Sequence, residues 1–64
     1  MGDQYGAISD YSEAIKLKPN DSYAYYFRGI SKFKLGDKTG ACIDMRKASS
    51  LGDQLAFRMI KDQC

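Results

Sequence analysis

The sequence predicts an all-α fold of four short antiparallel helices without a sheet. Capping and helix-ending residues divide the chain into four segments joined by two to four residues, and connections this short place successive helices side by side in opposite directions. No segment alternates apolar and polar residues long enough to predict a strand. The chain also matches itself after a shift of 34 residues, which indicates a repeated helical unit.

Each helix is predicted to follow an aspartate, whose carboxylate can accept hydrogen bonds from the first free N–H groups of a helix. The caps are Asp3, Asp21 (with Asn20), Asp37 and Asp53. The predicted helices run from Gln4 to about Lys18, from Ser22 to Leu35, from Lys38 to about Leu51, and from Gln54 to about Asp62. Pro19, Gly36 and Gly52 end the first three, since proline cannot continue a helix and glycine favours its terminating turn.

The second predicted helix is apolar over an arc of roughly 200°, about twice the stripe of a helix with one buried face. The residues on this arc are Tyr23, Tyr25, Tyr26, Phe27, Gly29, Ile30 and Phe33. Arg28 and Lys32 are predicted to mark a narrow solvated sector. A helix of this kind is flanked on two sides, which favours a layered helical stack.

The shift of 34 residues pairs identical residues, most of which are small or capping types. The pairs are Gly2 with Gly36, Asp3 with Asp37, Gly6 with Gly40, Ala7 with Ala41, Asp10 with Asp44, Ala14 with Ala48, and Leu17 with Leu51. A helix–turn–helix unit with this period resembles the tetratricopeptide repeat.

The resemblance extends to individual positions of that family's pattern. Gly29 and Ala41 resemble the pair at which two helices approach most closely, Tyr25 stands where the family often has tryptophan, and Ala48 stands where the next repeat packs. The first helix matches the pattern of a second repeat helix, and Leu35-Gly36-Asp37 resembles the usual turn. The matching residues of the first helix are Ala7, Tyr11, Ala14 and Pro19. Arg28 departs from the pattern, which usually has leucine there.

The resemblance implies a single domain over residues 1–64. Residues 2–20 would be the second helix of an incomplete repeat, 21–53 a complete repeat, and 54–64 a C-terminal capping helix. About three repeats are normally needed for a stable stack. The orphan first helix is therefore expected to expose an apolar face. That face would include Tyr5, Ile8, Ser12 and Ile15. Two explanations stay open: the chain dimerises and completes the missing layer, or it is the C-terminal end of a longer array.

In such arrays the first helix of each repeat lines the binding groove, so the resemblance implies a protein or peptide partner. The implied partner-binding residues are Tyr23, Tyr26, Ile30, Phe33 and Lys34. This ladder favours an apolar or aromatic-anchored peptide. The alternative is that a neighbouring helix or a second chain already fills it. Tyr26 and Ile30 occupy positions where the family's carboxylate clamp has lysine and asparagine, so an acidic tail is not expected.

The composition favours a non-catalytic module without metal or cofactor. The chain has no histidine, so neither Cys42 nor Cys64 has the base that usually activates a thiol. Cys42 is expected to be a small buried hydrophobe, and Cys64 to be exposed and able to cross-link two chains in an oxidising buffer. Two cysteines this far apart without histidine do not form a zinc pattern.

Charge and hydropathy argue against two further classes of partner. The net charge of +2 is too small to predict a nucleic-acid or anionic-membrane partner, although tyrosines beside basic residues keep nucleic-acid binding as a rival. No run approaches the ~18 apolar residues of a membrane span. A cytoplasmic location is the default expectation.

Overall fold

A computed structural model describes residues 3–64 and confirms the predicted all-α architecture. The helices are α1 (Gln4–Leu17), α2 (Ser22–Lys34), α3 (Lys38–Ser50) and α4 (Gln54–Gln63). Each packs against the next along the chain, α1 on α2, α2 on α3, and α3 on α4. No strand is present within these residues. Gly2, which belongs to the sequence repeat and begins the predicted first segment, lies outside the described residues.

All four predicted aspartate caps accept backbone hydrogen bonds at their helix starts. Asp3 accepts from the Gly6 N–H at 3.0 Å and Asp37 from the Gly40 N–H at 2.9 Å. The caps of α2 and α4 accept from the second residue of each helix instead. A Cβ added at Gly6 would lie 2.6 Å from the Asp3 carboxylate, and one at Gly40 would meet the Asp37 carboxylate. These two glycines inside helices therefore make room for the cap.

The turns after α2 and α3 use glycine in a conformation that other residues rarely adopt. Gly36 has φ 84° and Gly52 has φ 102°. After α2, the Asp37 N–H donates to the Lys32 carbonyl at 2.9 Å. This is the 6→1 hydrogen bond of a Schellman motif, which spans six residues. Asp37 then caps α3 with its side chain. One residue therefore both closes α2 and opens α3, which fixes a tight antiparallel hairpin.

The core lies where α2 and α3 approach most closely. Gly29 is buried, and a Cβ there would lie 2.9 Å from Met45 Cε and 3.2 Å from the Ala41 carbonyl oxygen. Met45 and Ala48 of α3 and Ala56 of α4 are fully buried. Half-buried side chains from α2 and α4 surround them. These are Tyr25, Tyr26, Ile30, Phe33, Met59 and Ile60.

The outer face of α1 differs from the expectation. Tyr5 is 75% exposed, as expected, but Ile8, Ser12 and Ile15 are half-buried. The Ser12 hydroxyl donates to the Ile8 carbonyl at 2.7 Å and accepts from Arg28 of α2 at 3.1 Å. The assignment of Ser12 to the open face is therefore wrong, because the residue faces α2.

Candidate functional site

The five residues implied as partner-binding lie along α2 with different degrees of burial. Tyr23 is 69% exposed and Lys34 is exposed, whereas Tyr26, Ile30 and Phe33 are half-buried and pack against the core. A neighbouring helix thus covers part of the stripe, and both ends of it remain accessible.

Ile30, Phe33 and Lys34 line an open hollow between α2 and α4 of about 360 Å³. Met59 and Gln63 of α4 form its other wall. The lining of the hollow is mostly apolar, and Gln63 and Lys34 contribute an amide and an ammonium group to it. We call these five residues the α2–α4 hollow. Met59 and Gln63 could not be predicted from the sequence pattern, because that pattern identifies α4 only as a capping helix.

Tyr23 lies at the opposite end of α2, in a separate hollow of about 380 Å³. Its neighbours there include Ser22 and, from the α3–α4 connection and the start of α4, Asp53 and Leu55. The start of α2 thus lies beside the start of α4, and the end of α2 beside the end of α4. The two helices therefore run in the same direction, and the predicted site is divided between their two ends.

A buried ion cluster, which the sequence pattern did not predict, joins α2 to α3. Arg28 donates two hydrogen bonds to the Asp44 carboxylate, Nε to Oδ2 at 2.9 Å and Nη2 to Oδ1 at 2.8 Å. Lys32 Nζ lies 3.0 Å from Asp44 Oδ2. The Asp44 side chain is only 3% exposed, and those of Arg28 and Lys32 are 19% and 21% exposed. The prediction of a solvated sector at Arg28 and Lys32 is therefore wrong.

Arg28 also holds α1 and an aromatic ring in place. Its Nη1 donates to the Ser12 hydroxyl, and its guanidinium lies 5.6 Å from the centre of the Tyr25 ring. Lys47 approaches the same ring at 6.0 Å. The hydrogen bonds to Asp44 and the charge of Asp44 raise the pKa of Arg28 above its ordinary value, against a smaller lowering by burial. One side chain thus contacts α1, α2 and α3.

The repeat positions on α1 and in the following turn differ in burial and contacts. Ala7 and Ala14 are half-buried, and Tyr11 stacks on Phe27 with ring centres 5.9 Å apart. Pro19 is exposed in the turn after α1.

Cys42 and Cys64 form a disulfide within the chain, with a Cα–Cα distance of 6.1 Å. Cys42 is buried and Cys64 is exposed, as expected. The expectation that Cys64 can cross-link two chains is corrected, because its thiol is already bonded to Cys42. The bond ties Cys64, which follows α4, to the first half of α3. Sequence spacing alone gave no signal for it, because the pairing depends on how α4 folds back over α3.

Residues 3–64 bring together no group of three side chains suited to holding a metal ion. No helix in the same range is long and apolar enough to cross a membrane.

Comparison with known families gives one match. A family model described as TPR repeat matches residues 1–36, which is more than half of the chain. No curated protein and no solved structure matches the chain.

Proposed function

The chain belongs to the tetratricopeptide-repeat family, and from that premise we propose that it binds a peptide or partner protein through the exposed parts of α2. Members of this family are non-catalytic scaffolds that generally mediate protein–protein interactions. The observation that supports the proposal most directly is the α2–α4 hollow. It collects Ile30, Phe33 and Lys34, three of the five residues implied by the resemblance, around one opening.

The hollow fits an apolar side chain followed by an acidic or carbonyl group. Ile30, Phe33 and Met59 present aliphatic, aromatic and thioether surface, which suits a buried anchor residue. Lys34 and Gln63 at the rim can hydrogen-bond to the backbone or to a carboxylate of the same peptide. The partner class is therefore a peptide with an apolar anchor.

Panning a displayed peptide library on the folded, oxidised chain tests this proposal. Bound peptides are expected to shift the backbone amide signals of Ile30, Phe33 and Lys34, together with those of Met59 and Gln63, in nuclear magnetic resonance spectra. Shifts confined to α1, or a library that yields no binder, would contradict it.

Two exposed tyrosines allow a test of whether the N-terminal end of α2, which carries Tyr23, takes part in peptide binding. Tyr23→Ala should weaken a peptide long enough to span α2 by roughly tenfold, because aromatic anchors dominate such interfaces. Tyr5→Ala removes a tyrosine of similar exposure from α1 and should leave the affinity unchanged. If both substitutions change the peptide affinity equally, Tyr23 is not part of the binding site.

Self-association is the second candidate function, in which the chain forms a two-fold dimer without a separate ligand. Tyr5 and Leu17, 75% and 82% exposed on α1, favour it, since exposed apolar side chains on an unpartnered helix promote pairing. Light scattering across dilution, with and without reductant, tests it. A mass twice that of the monomer supports the dimer, and a monomer mass at all concentrations excludes self-association.

Nucleic-acid binding is disfavoured by the net charge and has a simple test. A complex driven by phosphate contacts weakens steeply as salt rises, and an apolar peptide complex does not. The cytoplasmic location expected from the sequence stays a prediction. The Cys42–Cys64 bond weighs against it, because disulfides persist mainly in oxidising compartments.

A further inference from the structure

The Cys42–Cys64 disulfide lines an open hollow of about 250 Å³ on α3. The other side chains that line this hollow also belong to α3, and they are Lys38, Thr39 and Arg46. We call these five residues the disulfide hollow. It shares no residue with the α2–α4 hollow, so an inference drawn from it does not depend on peptide binding.

Two positive charges flank Cys42 along α3. Lys38 precedes Cys42 by four residues and Arg46 follows it by four, and residues at this spacing lie about one turn apart on the same face of a helix. Both cations are exposed. Within residues 3–64, neither of them forms a salt bridge with a carboxylate. Their charges are therefore available to an anion that enters the disulfide hollow.

The two sulfurs of the disulfide differ in access and in surroundings. Cys42 is only 6% exposed, whereas Cys64 is exposed. A thiolate opens a disulfide by attacking one of its sulfurs, and the rate depends on access and on how easily the other sulfur departs as a thiolate. Attack on Cys64 uses the accessible sulfur. It also lets Cys42 depart with a cation one turn away on either side, and nearby cations favour a thiolate.

We propose that the disulfide hollow is a modification site, at which a small thiol that carries carboxylates, of the glutathione class, becomes bonded to Cys64. Lys38 and Arg46 bind the carboxylates of this thiol, and its thiolate attacks Cys64 Sγ. A bond forms between these two sulfurs, the Cys42–Cys64 bond breaks, and its electron pair leaves on Cys42 Sγ, which takes a proton from water. One disulfide replaces another, so the step needs no further oxidant or reductant.

The charge of the hollow gives the site its selectivity. Local positive charge concentrates carboxylates and repels ammonium groups. A space of about 250 Å³ suits a small molecule better than a folded protein. The exchange frees Cys64 from α3, so the end of α4 loses its covalent attachment.

The test compares the rates at which anionic glutathione, neutral mercaptoethanol and cationic cysteamine open the disulfide of the full chain. Samples are quenched with acid and analysed by mass spectrometry at low ionic strength. Each rate is divided by the rate of the same thiol with a neutral open-chain disulfide, which removes differences in intrinsic reactivity. The normalised rate of glutathione is expected to exceed that of cysteamine at least about tenfold, with mercaptoethanol between them, and the excess should shrink as salt rises.

Charge-removing variants connect this selectivity to the hollow. Lys38→Gln combined with Arg46→Gln should lower the ratio of the glutathione rate to the cysteamine rate at least about fivefold. Lys18→Gln combined with Arg58→Gln is the matched control. It removes two exposed cations that line other hollows and should change the ratio less than about twofold. Circular dichroism verifies that both double variants keep their helices.

Peptide mapping of the quenched glutathione product identifies the sulfur that was attacked. The mixed disulfide is expected on Cys64, with Cys42 as the free thiol. A mixed disulfide on Cys42 would overturn the proposal. Equal normalised rates of glutathione and cysteamine in the unmodified chain, or equal losses in the two double variants, would overturn it as well.

Discussion

Replacing Asp44 with asparagine should destabilise the fold strongly, because it leaves two partly buried cations without their counter-charge. The Asp44 side chain is 3% exposed and serves three close contacts, two from Arg28 and one from Lys32. Asparagine preserves shape and one acceptor but removes the charge. Breaking one partner of a buried ion pair costs about 3–5 kcal/mol. A chain of 64 residues has a total stability of roughly 3–10 kcal/mol, so this single change uses up much of it.

Urea and thermal unfolding followed by circular dichroism at 222 nm measure the loss. At about 4–8 °C per kcal/mol for a small domain, the lower figure of about 3 kcal/mol corresponds to a midpoint about 12–24 °C lower. Asp10→Asn is the matched control. It is the same substitution 34 residues earlier on an exposed side chain, and we expect a change within about 0.5 kcal/mol. Loss of less than about 1 kcal/mol in Asp44→Asn would refute the argument that the buried cluster needs its anion.

Two further changes test the packing and the covalent closure. Gly29→Leu should unfold the chain, losing at least about 3 kcal/mol, because even a Cβ there meets the Ala41 backbone and Met45; an unchanged melting temperature would show that the α2–α3 contact is wrong. Gly6→Ala is its control and should change stability by less than about 1 kcal/mol, since the higher helix propensity of alanine offsets the disturbance of the Asp3 cap by the added Cβ. Cys64→Ser should cost about 3 kcal/mol by opening a loop of 22 residues. Reductant should lower the urea midpoint of the unmodified chain and leave that of Cys64→Ser unaltered. If neither the reductant nor the substitution changes the midpoint, the disulfide contributes nothing to stability.

The elements of the fold were predictable from sequence because local rules determine them. Aspartates before each helix and glycines after two of them act within a few residues, so helix ends could be located without knowledge of the packing. The closeness of Gly29 to α3 was also predictable, since the resemblance identifies where small residues must meet.

The ion cluster and the disulfide were not predictable in the same way, because both depend on side chains brought together by tertiary packing. A helical wheel assigns Arg28 and Lys32 to a polar sector but does not say that Asp44 of the next helix lies opposite them. A signal was present: Asp44 sits between apolar residues of α3, where a carboxylate needs a partner. The contribution of α4 to the candidate site was missed for a similar reason, since Met59 and Gln63 reach it only after α4 lies alongside α2.

The 34-residue repeat itself follows from which neighbour each face meets. Residues that α3 turns toward α2, such as Ala41 and Asp44, are identical in α1. The large side chain that meets the following helix differs: Tyr11 of α1 stacks on Phe27 of α2, whereas its counterpart Met45 packs beside Ala56 of α4. The small residue there is kept, since Ala14 has the counterpart Ala48, which also clusters with Ala56. Small and capping residues therefore recur because the backbone geometry of the hairpin requires them, and the large side chain changes with the helix that it contacts.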